Sequence, residues 1–132
     1  MPKGYYVDSS IWRDYFENRS DRFRPLGEWA FEFFKNLNKD EDLVVLSDFL
    51  IDELVDFGPK VIPFLKDMKI QHVIIKVSDS QLNEAESITK VHFEDAVHAV
   101  LARDNSCILV SRDRHFLETT DMVETYKPED LF

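Results

Sequence analysis

Four acidic residues stand where a folded chain would gather them at one edge. Asp8 directly follows the strand-like run Gly4-Tyr5-Tyr6-Val7, and Asp113 follows Ile108-Leu109-Val110-Ser111-Arg112. Glu53 lies in the helical segment that leaves the apolar run Leu43-Val44-Val45-Leu46, and Asp95 sits near the start of a later helix. Carboxylates that meet in one pocket repel one another and resist burial, so such a pocket calls for a cation. Each acid also has a plain structural reading. Asp8 and Asp113 read equally well as helix N-caps, which accept the orphan N–H bonds of a first turn. Asp95 sits where a helix dipole favours an anion.

Glu53 is the most informative of the four. At about 100° per residue, the helix from Ser47 puts Leu50, Leu54 and Phe57 on one stripe and Asp48, Asp52 and Asp56 on the opposite, solvated face. Glu53 falls between Phe49 and Phe57, on the flank of the apolar stripe. A carboxylate there needs a metal ion or a cationic partner to offset its partial burial. Asp95 shares a stripe with Ala99 and Ala102, small residues that let a helix approach its neighbours. His98, on an adjacent line, reads as a packed, hydrogen-bonded histidine rather than a ligand.

The elements that must position these acids alternate. Strands are expected at Gly4–Val7, Leu43–Leu46, His72–Val77, Cys107–Val110 and Met122–Thr125. Helices are expected from Asp8-Ser9-Ser10, through Trp29 to Leu37, from Ser47 to near Gly58-Pro59, and over Lys60–Met68, Ser78–Thr89, Glu94–Asn105 and Arg114–Glu118. Short apolar strands alternating with helices imply an α/β sandwich with a mainly parallel sheet covered on both faces. Ligands in such sheets gather beyond the carboxyl ends of the strands, where the acids lie.

The chain has 132 residues and few glycines or prolines, which suits a single domain over 1–132. With 44% hydrophobic residues it can build a core without disulfides or zinc. The lone Cys107 has no partner for an internal disulfide and no zinc-ligand spacing around it, which suits a reducing, cytoplasmic home. No apolar run reaches membrane-spanning length and no signal peptide is evident. The net charge of -10 argues against broad nonspecific nucleic-acid binding. A carboxylate metal site is itself negative until cations fill it, so the charge leaves nuclease chemistry open.

Three stretches together resemble PIN-domain nucleases. Tyr6-Val7-Asp8-Ser9-Ser10 resembles their opening strand and acid. Ser47-Asp48-Phe49-Leu50-Ile51-Asp52-Glu53-Leu54 resembles their second motif, a Ser six positions before a Glu-Leu. Asp95-Ala96-Val97-His98-Ala99 through Ile108-Leu109-Val110-Ser111-Arg112-Asp113 resembles their Asp-Ala helix and the strand ending in Thr/Ser-x-Asp. The motifs run in family order from Tyr6 to Phe116. Ser10 stands where Asn or Thr is common, and Ser111 where Thr is common.

The resemblance implies a PIN-like three-layer sandwich and a metal-dependent endoribonuclease, a phosphodiester hydrolase. Asp8, Asp95 and Asp113 would form the main shell for Mg²⁺ or Mn²⁺, completed by Glu53 directly or through water. Ser10 and Ser111 would orient the carboxylates, and Arg112 or Arg114 would hold the phosphate backbone of the RNA. Small single-domain members resemble the toxin of a toxin–antitoxin pair, which implies a homodimer and a small antitoxin protein as inhibitor. Tyr5, Tyr6 and the tail from Tyr126 to Phe132 are candidates for a dimer surface. Two other readings stay open within the family: a PIN-like domain that binds RNA or protein without cutting, and a DNA-directed nuclease. A receiver-like or phosphatase-like domain using Asp8 as phosphoacceptor is disfavoured, because Asp8-Ser9-Ser10 lacks a second Asp two positions on. Trp12, Trp29, Phe33 and Phe34 could stack bases, but their helical spacing reads as core.

Overall fold

The structure, a computed structural model, describes residues 3–40, 42–113, 118 and 120–132. Five strands form one all-parallel sheet: β1 (Gly4–Val7), β2 (Leu43–Ser47), β3 (Gln71–Ile75), β4 (Ile108–Val110) and β5 (Thr125–Tyr126), in the order β3-β2-β1-β4-β5. The helices are α1 (Ser9–Phe16), α2 (Leu26–Asp40), α3 (Asp48–Leu54), α4 (Gly58–Asp67), α5 (Asp79–Ser87) and α6 (Phe93–Asp104). α1 packs on α2 and α3, and α3 on α4, while α5 and α6 form a separate pair. The sheet is thus flanked by helices, as alternating βα units require when parallel strands are joined by crossovers.

The core explains why the strands read as continuous apolar runs. Tyr6, Val7, Val44, Leu46, Leu109 and Val110 are buried on the sheet. Trp12 of α1 stacks on Phe34 of α2 at 4.6 Å between ring centroids and donates its indole N–H to the carbonyl of Val7. Phe33 and Phe34 are buried, so the core reading of the helical aromatics holds; Trp29 is half-buried. α6 is buried without a break from Ala96 to Ala102, the pattern of a helix enclosed on all sides rather than on one stripe.

Several boundaries differ from expectation. The helix from Ser47 ends at Leu54, because Val55 turns the chain at φ 54° into a 3-10 turn over Val55–Phe57. Gly58-Pro59 opens α4 instead of closing α3, since a proline in the first turn has its φ preset and needs no N–H partner. β3 ends at Ile75, where the Asp48 carboxylate accepts the N–H of Val77 at 3.0 Å and Ser78 begins α5 with a capping box. β5 lies slightly later than expected, with Thr125 opposite Leu109 and Tyr126 opposite Val110. The short helix expected from Arg114, and Arg114 itself, lie outside the described residues.

Tyr5 and Tyr6 do not reach a dimer surface. They lie on the central strand β1, between β2 and β4, and both side chains are buried. Tyr126 and Phe132 of the tail are exposed.

Candidate active site

The strand order reverses between β1 and β4, and Asp8 is the residue at that crevice. Its backbone N–H donates to Val110 of β4 at 3.1 Å, which seats it beyond the carboxyl ends of both strands. Asp8 precedes α1 as its N-cap residue, yet its side chain makes no cap hydrogen bond. Instead Ser10 Oγ donates to Oδ1 at 2.6 Å and Ser111 Oγ donates to Oδ2 at 2.9 Å. Each serine also accepts a backbone N–H, Ser10 from Arg112 at 3.3 Å and Ser111 from Asp113 at 3.1 Å. Both hydroxyl protons are therefore directed at Asp8 by the loop that follows β4. The carboxylate is held from its own helix and from a segment about a hundred residues away, so it does not serve the cap role.

Asp8 is 3% exposed, and burial pushes its carboxyl up to about 6. The two serines oppose that rise, as does His98, while the charge of Asp95 adds to it. The charge of Asp95 is thus felt at Asp8. Asp113 lines the same cleft as Ser10, whose hydroxyl holds Asp8.

Glu53 reaches the site by a different route. Its Oε1 accepts from His98 Nε2 at 2.8 Å. Burial pushes the Glu53 carboxyl up, but His98 and Ser9, with the charge of Arg13, outweigh it and hold the group below its ordinary value. The cationic or hydrogen-bonding partner that its place on the apolar flank calls for is His98. His98 is itself buried and bonded at both ring nitrogens, as a packed histidine must be.

The bonds behind Glu53 form one directional chain. Leu50 N–H donates to Ser47 Oγ at 3.0 Å, Ser47 Oγ lies 2.7 Å from the Tyr6 hydroxyl, and that hydroxyl lies 2.7 Å from His98 Nδ1. Every donor finds an acceptor if Ser47 donates to Tyr6, Tyr6 to Nδ1, and Nε2–H to Glu53. Burial, reinforced by Asp8 and Glu53, pushes the Tyr6 hydroxyl well above its ordinary range, so it keeps the proton that the chain requires. Tyr6→Phe removes the middle link and strands two buried polar atoms. It is expected to cost about 1–3 kcal/mol, read as a lower urea midpoint at unchanged m-value. A midpoint matching the parent would show that the chain is not a coupled unit.

Arg112 is not placed to meet a phosphate. Its Nε donates to Asp14 at 3.1 Å, its two terminal nitrogens grip Glu129 at 2.7 Å each, and the guanidinium lies over Trp29 at 5.7 Å. The guanidinium is committed before any substrate arrives, so the expected phosphate contact gives way to a structural role.

Divalent cations of the Mg²⁺ and Mn²⁺ type take oxygen ligands, and the donors here are oxygens. A cation beside Asp8 and Asp95 would relieve both pressures that raise the Asp8 proton affinity, burial and the neighbouring charge. Among the described residues, however, no three His, Cys, Asp or Glu side chains are set to hold a metal unaided. A cation bound there would have to keep several waters, as Mg²⁺ does.

Solved structures share this chain path. The crystal structure of FitAcB from Neisseria gonorrhoeae matches with a TM-score of 0.60 at 14% identity, over 94% of this chain and 97% of that chain. The crystal structure of PAE2754 from Pyrobaculum aerophilum matches with a TM-score of 0.55 at 16% identity, over 95% and 92%. The fold is PIN-like. No family model matches the sequence, and no curated protein does.

Within this PIN-like sandwich, sequence reasoning missed two partners. The sequence marks Tyr6 only as strand and as a candidate for a dimer surface; its hydroxyl has no signature there. Glu129 lies in a 3-10 turn over Pro128–Asp130, too short for any periodicity to mark. Asp14 carried a faint signal, because it sits beside Ile11 and Trp12 on α1 and all three are buried.

Proposed function

We propose that this chain is a metal-dependent endoribonuclease that hydrolyses phosphodiester bonds in RNA, and that it acts as the toxin of a toxin–antitoxin pair. The observation that carries the catalytic reading is Asp8: a buried carboxylate at the switch point of a parallel sheet, pinned by two hydroxyls and pressed by a second acid. Asp8 and Asp95, with Asp113 alongside, would hold Mg²⁺ or Mn²⁺. When bound, the metal would polarise the phosphate and neutralise charge at the leaving oxygen. Ser10 and Ser111 keep the Asp8 carboxylate in one orientation. His98 keeps Glu53 ionised and aimed, so that it would accept a hydrogen bond from the attacking water and orient it. The toxin role, a small antitoxin protein as partner and a homodimeric state follow from the motif resemblance and are supported by the PIN-like fold.

Chelation tests the reading. EDTA is expected to reduce cleavage of a single-stranded RNA at least about 100-fold, with Mg²⁺ or Mn²⁺ restoring it, while either ion raises the melting temperature of the EDTA-treated protein. Chelator-resistant cutting would point to a metal-free mechanism. Absence of cutting with every divalent ion would favour a PIN-like domain that binds RNA or protein without cleaving it.

A further inference from the structure

The segment between α1 and α2 carries Arg19, Arg22, Phe23 and Arg24 in a chain whose net charge is -10. It is a built turn. Asp21 and Arg24 exchange backbone hydrogen bonds, Asp21 N–H to Arg24 O at 3.0 Å and Arg24 N–H to Asp21 O at 2.8 Å, and their side chains pair as well. The base of the segment is tied to both helices: Arg19 N–H donates to Asp14 O and Gly27 N–H to Arg19 O, each at 2.9 Å. Gly27 makes that closure possible, since a Cβ there would lie 2.8 Å from Asn18 Cα and from Asp14 O.

What the turn presents is unusual for a folded surface. Phe23 is 96% exposed, with no ring contact among the described residues. Arg22, at φ 53° on the tip, is exposed and has no carboxylate partner among the described residues. Arg19 and Arg24 pair with Glu17 and Asp21 at the surface, contacts weak enough for a phosphate to replace.

The turn also adjoins the site. A cleft of about 450 Å³ is lined by Ser10, Arg112 and Asp113 together with Arg19, Asp21 and Arg24. Asp21 and Arg24 continue into a second depression formed with Arg22 and Phe23. One surface therefore runs from the hydroxyl that holds Asp8 to the exposed ring. The larger cavity of the molecule, about 810 Å³ among Tyr15, Phe16, Phe31 and Phe64, is lined by none of the candidate catalytic residues and does not share this path.

We propose that the turn 21–24 is a landing platform for single-stranded RNA. Phe23 stacks on an unpaired base, Arg22 meets the adjacent phosphate, and the strand then follows the Arg19–Arg24 wall into the cleft beside Asp8. A flat ring flanked by cations suits an unstacked nucleotide, whose base offers a π-face and whose backbone offers charge. A base held in a duplex is already stacked and gains nothing from the ring. The proposal rests on the RNA-cleaving reading and adds the place where the unpaired strand is held before it reaches the site.

The test reads binding in EDTA, by fluorescence anisotropy, with a fluorescein-labelled single-stranded RNA of mixed sequence and with the same strand in a duplex. Phe23→Ala is expected to weaken single-strand binding about tenfold and to leave duplex binding unchanged, while Phe23→Trp retains affinity. Arg22→Ala is expected to lower the slope of log affinity against log salt by about 0.7. Circular dichroism and melting of the variants should match the parent, since both side chains are exposed. The proposal fails if the parent shows no affinity for the single strand, or if Phe23→Ala binds it as tightly as the parent or weakens both RNAs alike. It also fails if Phe23→Ala abolishes self-association in sedimentation with no change in RNA affinity, which would make the turn a protein contact. Because no metal is present, these outcomes are independent of whether EDTA stops cleavage.

Discussion

Asp8→Asn is expected to lose activity and gain stability. Cleavage should fall at least about 100-fold, beyond the 10–100-fold typical of residues that only orient a metal ligand. In EDTA at pH 7.5 the same variant should melt above the parent. Burial raises the Asp8 carboxyl from 3.8 to about 6, with the Asp95 charge adding to the rise. A raised value means that the folded chain holds the proton more tightly than the unfolded one. The stabilisation is complete below 3.8 and is lost as pH rises through about 6. At neutral pH the metal-free fold thus carries a charge that disfavours it by about 3 kcal/mol.

Asparagine removes that charge at a smaller cost. It accepts one hydroxyl donor instead of two, which loses about 1 kcal/mol. A net gain of about 1–2 kcal/mol corresponds to a rise of roughly 3–8 °C. The gap should close by about pH 4.5, where the parent has taken up its proton. Thermal melts of both proteins from pH 4.5 to 7.5 decide the matter. A variant that melts below the parent at neutral pH, or a gap that widens in acid, would mean that Asp8 is an ordinary satisfied carboxylate.

The parts of this site that the sequence made legible were those encoded as patterns. Asp8 and Ser111 sit at the ends of apolar runs, so the strands and the edge they share could be read directly, and the hydrogen bond between them follows from that edge. Glu53 was legible as a misplaced charge, because helical periodicity put it on an apolar flank. What answers that charge, His98, reads in the sequence as packed and hydrogen-bonded but with no partner named; its bond to Glu53 spans 45 positions and no local pattern records it. The break at Val55 was illegible for a different reason. A β-branched residue at φ 54° contradicts local preference and is imposed by the packing of α3 against α4. Arg112 failed in the opposite sense. Its place beside Asp113 suggested a substrate contact, but Asp14 and Glu129, distant in sequence, claim it.

Arg112→Ala is accordingly expected to act on the fold. The Arg112 side chain is 11% exposed and that of Asp14 5%, so this pairing is largely out of water. Burial pushes the Asp14 carboxyl up even with Arg112 and Arg19 beside it, which shows how little solvent supports its charge. Removing the guanidinium leaves Asp14 buried with only Arg19, 3.8 Å away, frees Glu129 and unties the final turn from α1. Losing one partner of such a network costs about 3–5 kcal/mol. The sign of the pH dependence follows from both acids. Without Arg112, Asp14 has more to gain from a proton, so the variant recovers as pH falls. The parent meanwhile loses the Arg112–Glu129 attraction, which otherwise holds the Glu129 carboxyl below its ordinary value. The deficit should therefore be largest near pH 7 and shrink toward pH 4.5 in urea titrations. Asp14→Asn combined with Arg112→Met should restore part of it, as expected when two groups act through each other. Cleavage corrected for the folded fraction should stay within about threefold of the parent, because the guanidinium donors are already taken by Asp14 and Glu129. A variant that keeps its stability and instead raises KM for RNA would return Arg112 to the phosphate-binding role that its position beside Asp113 suggests.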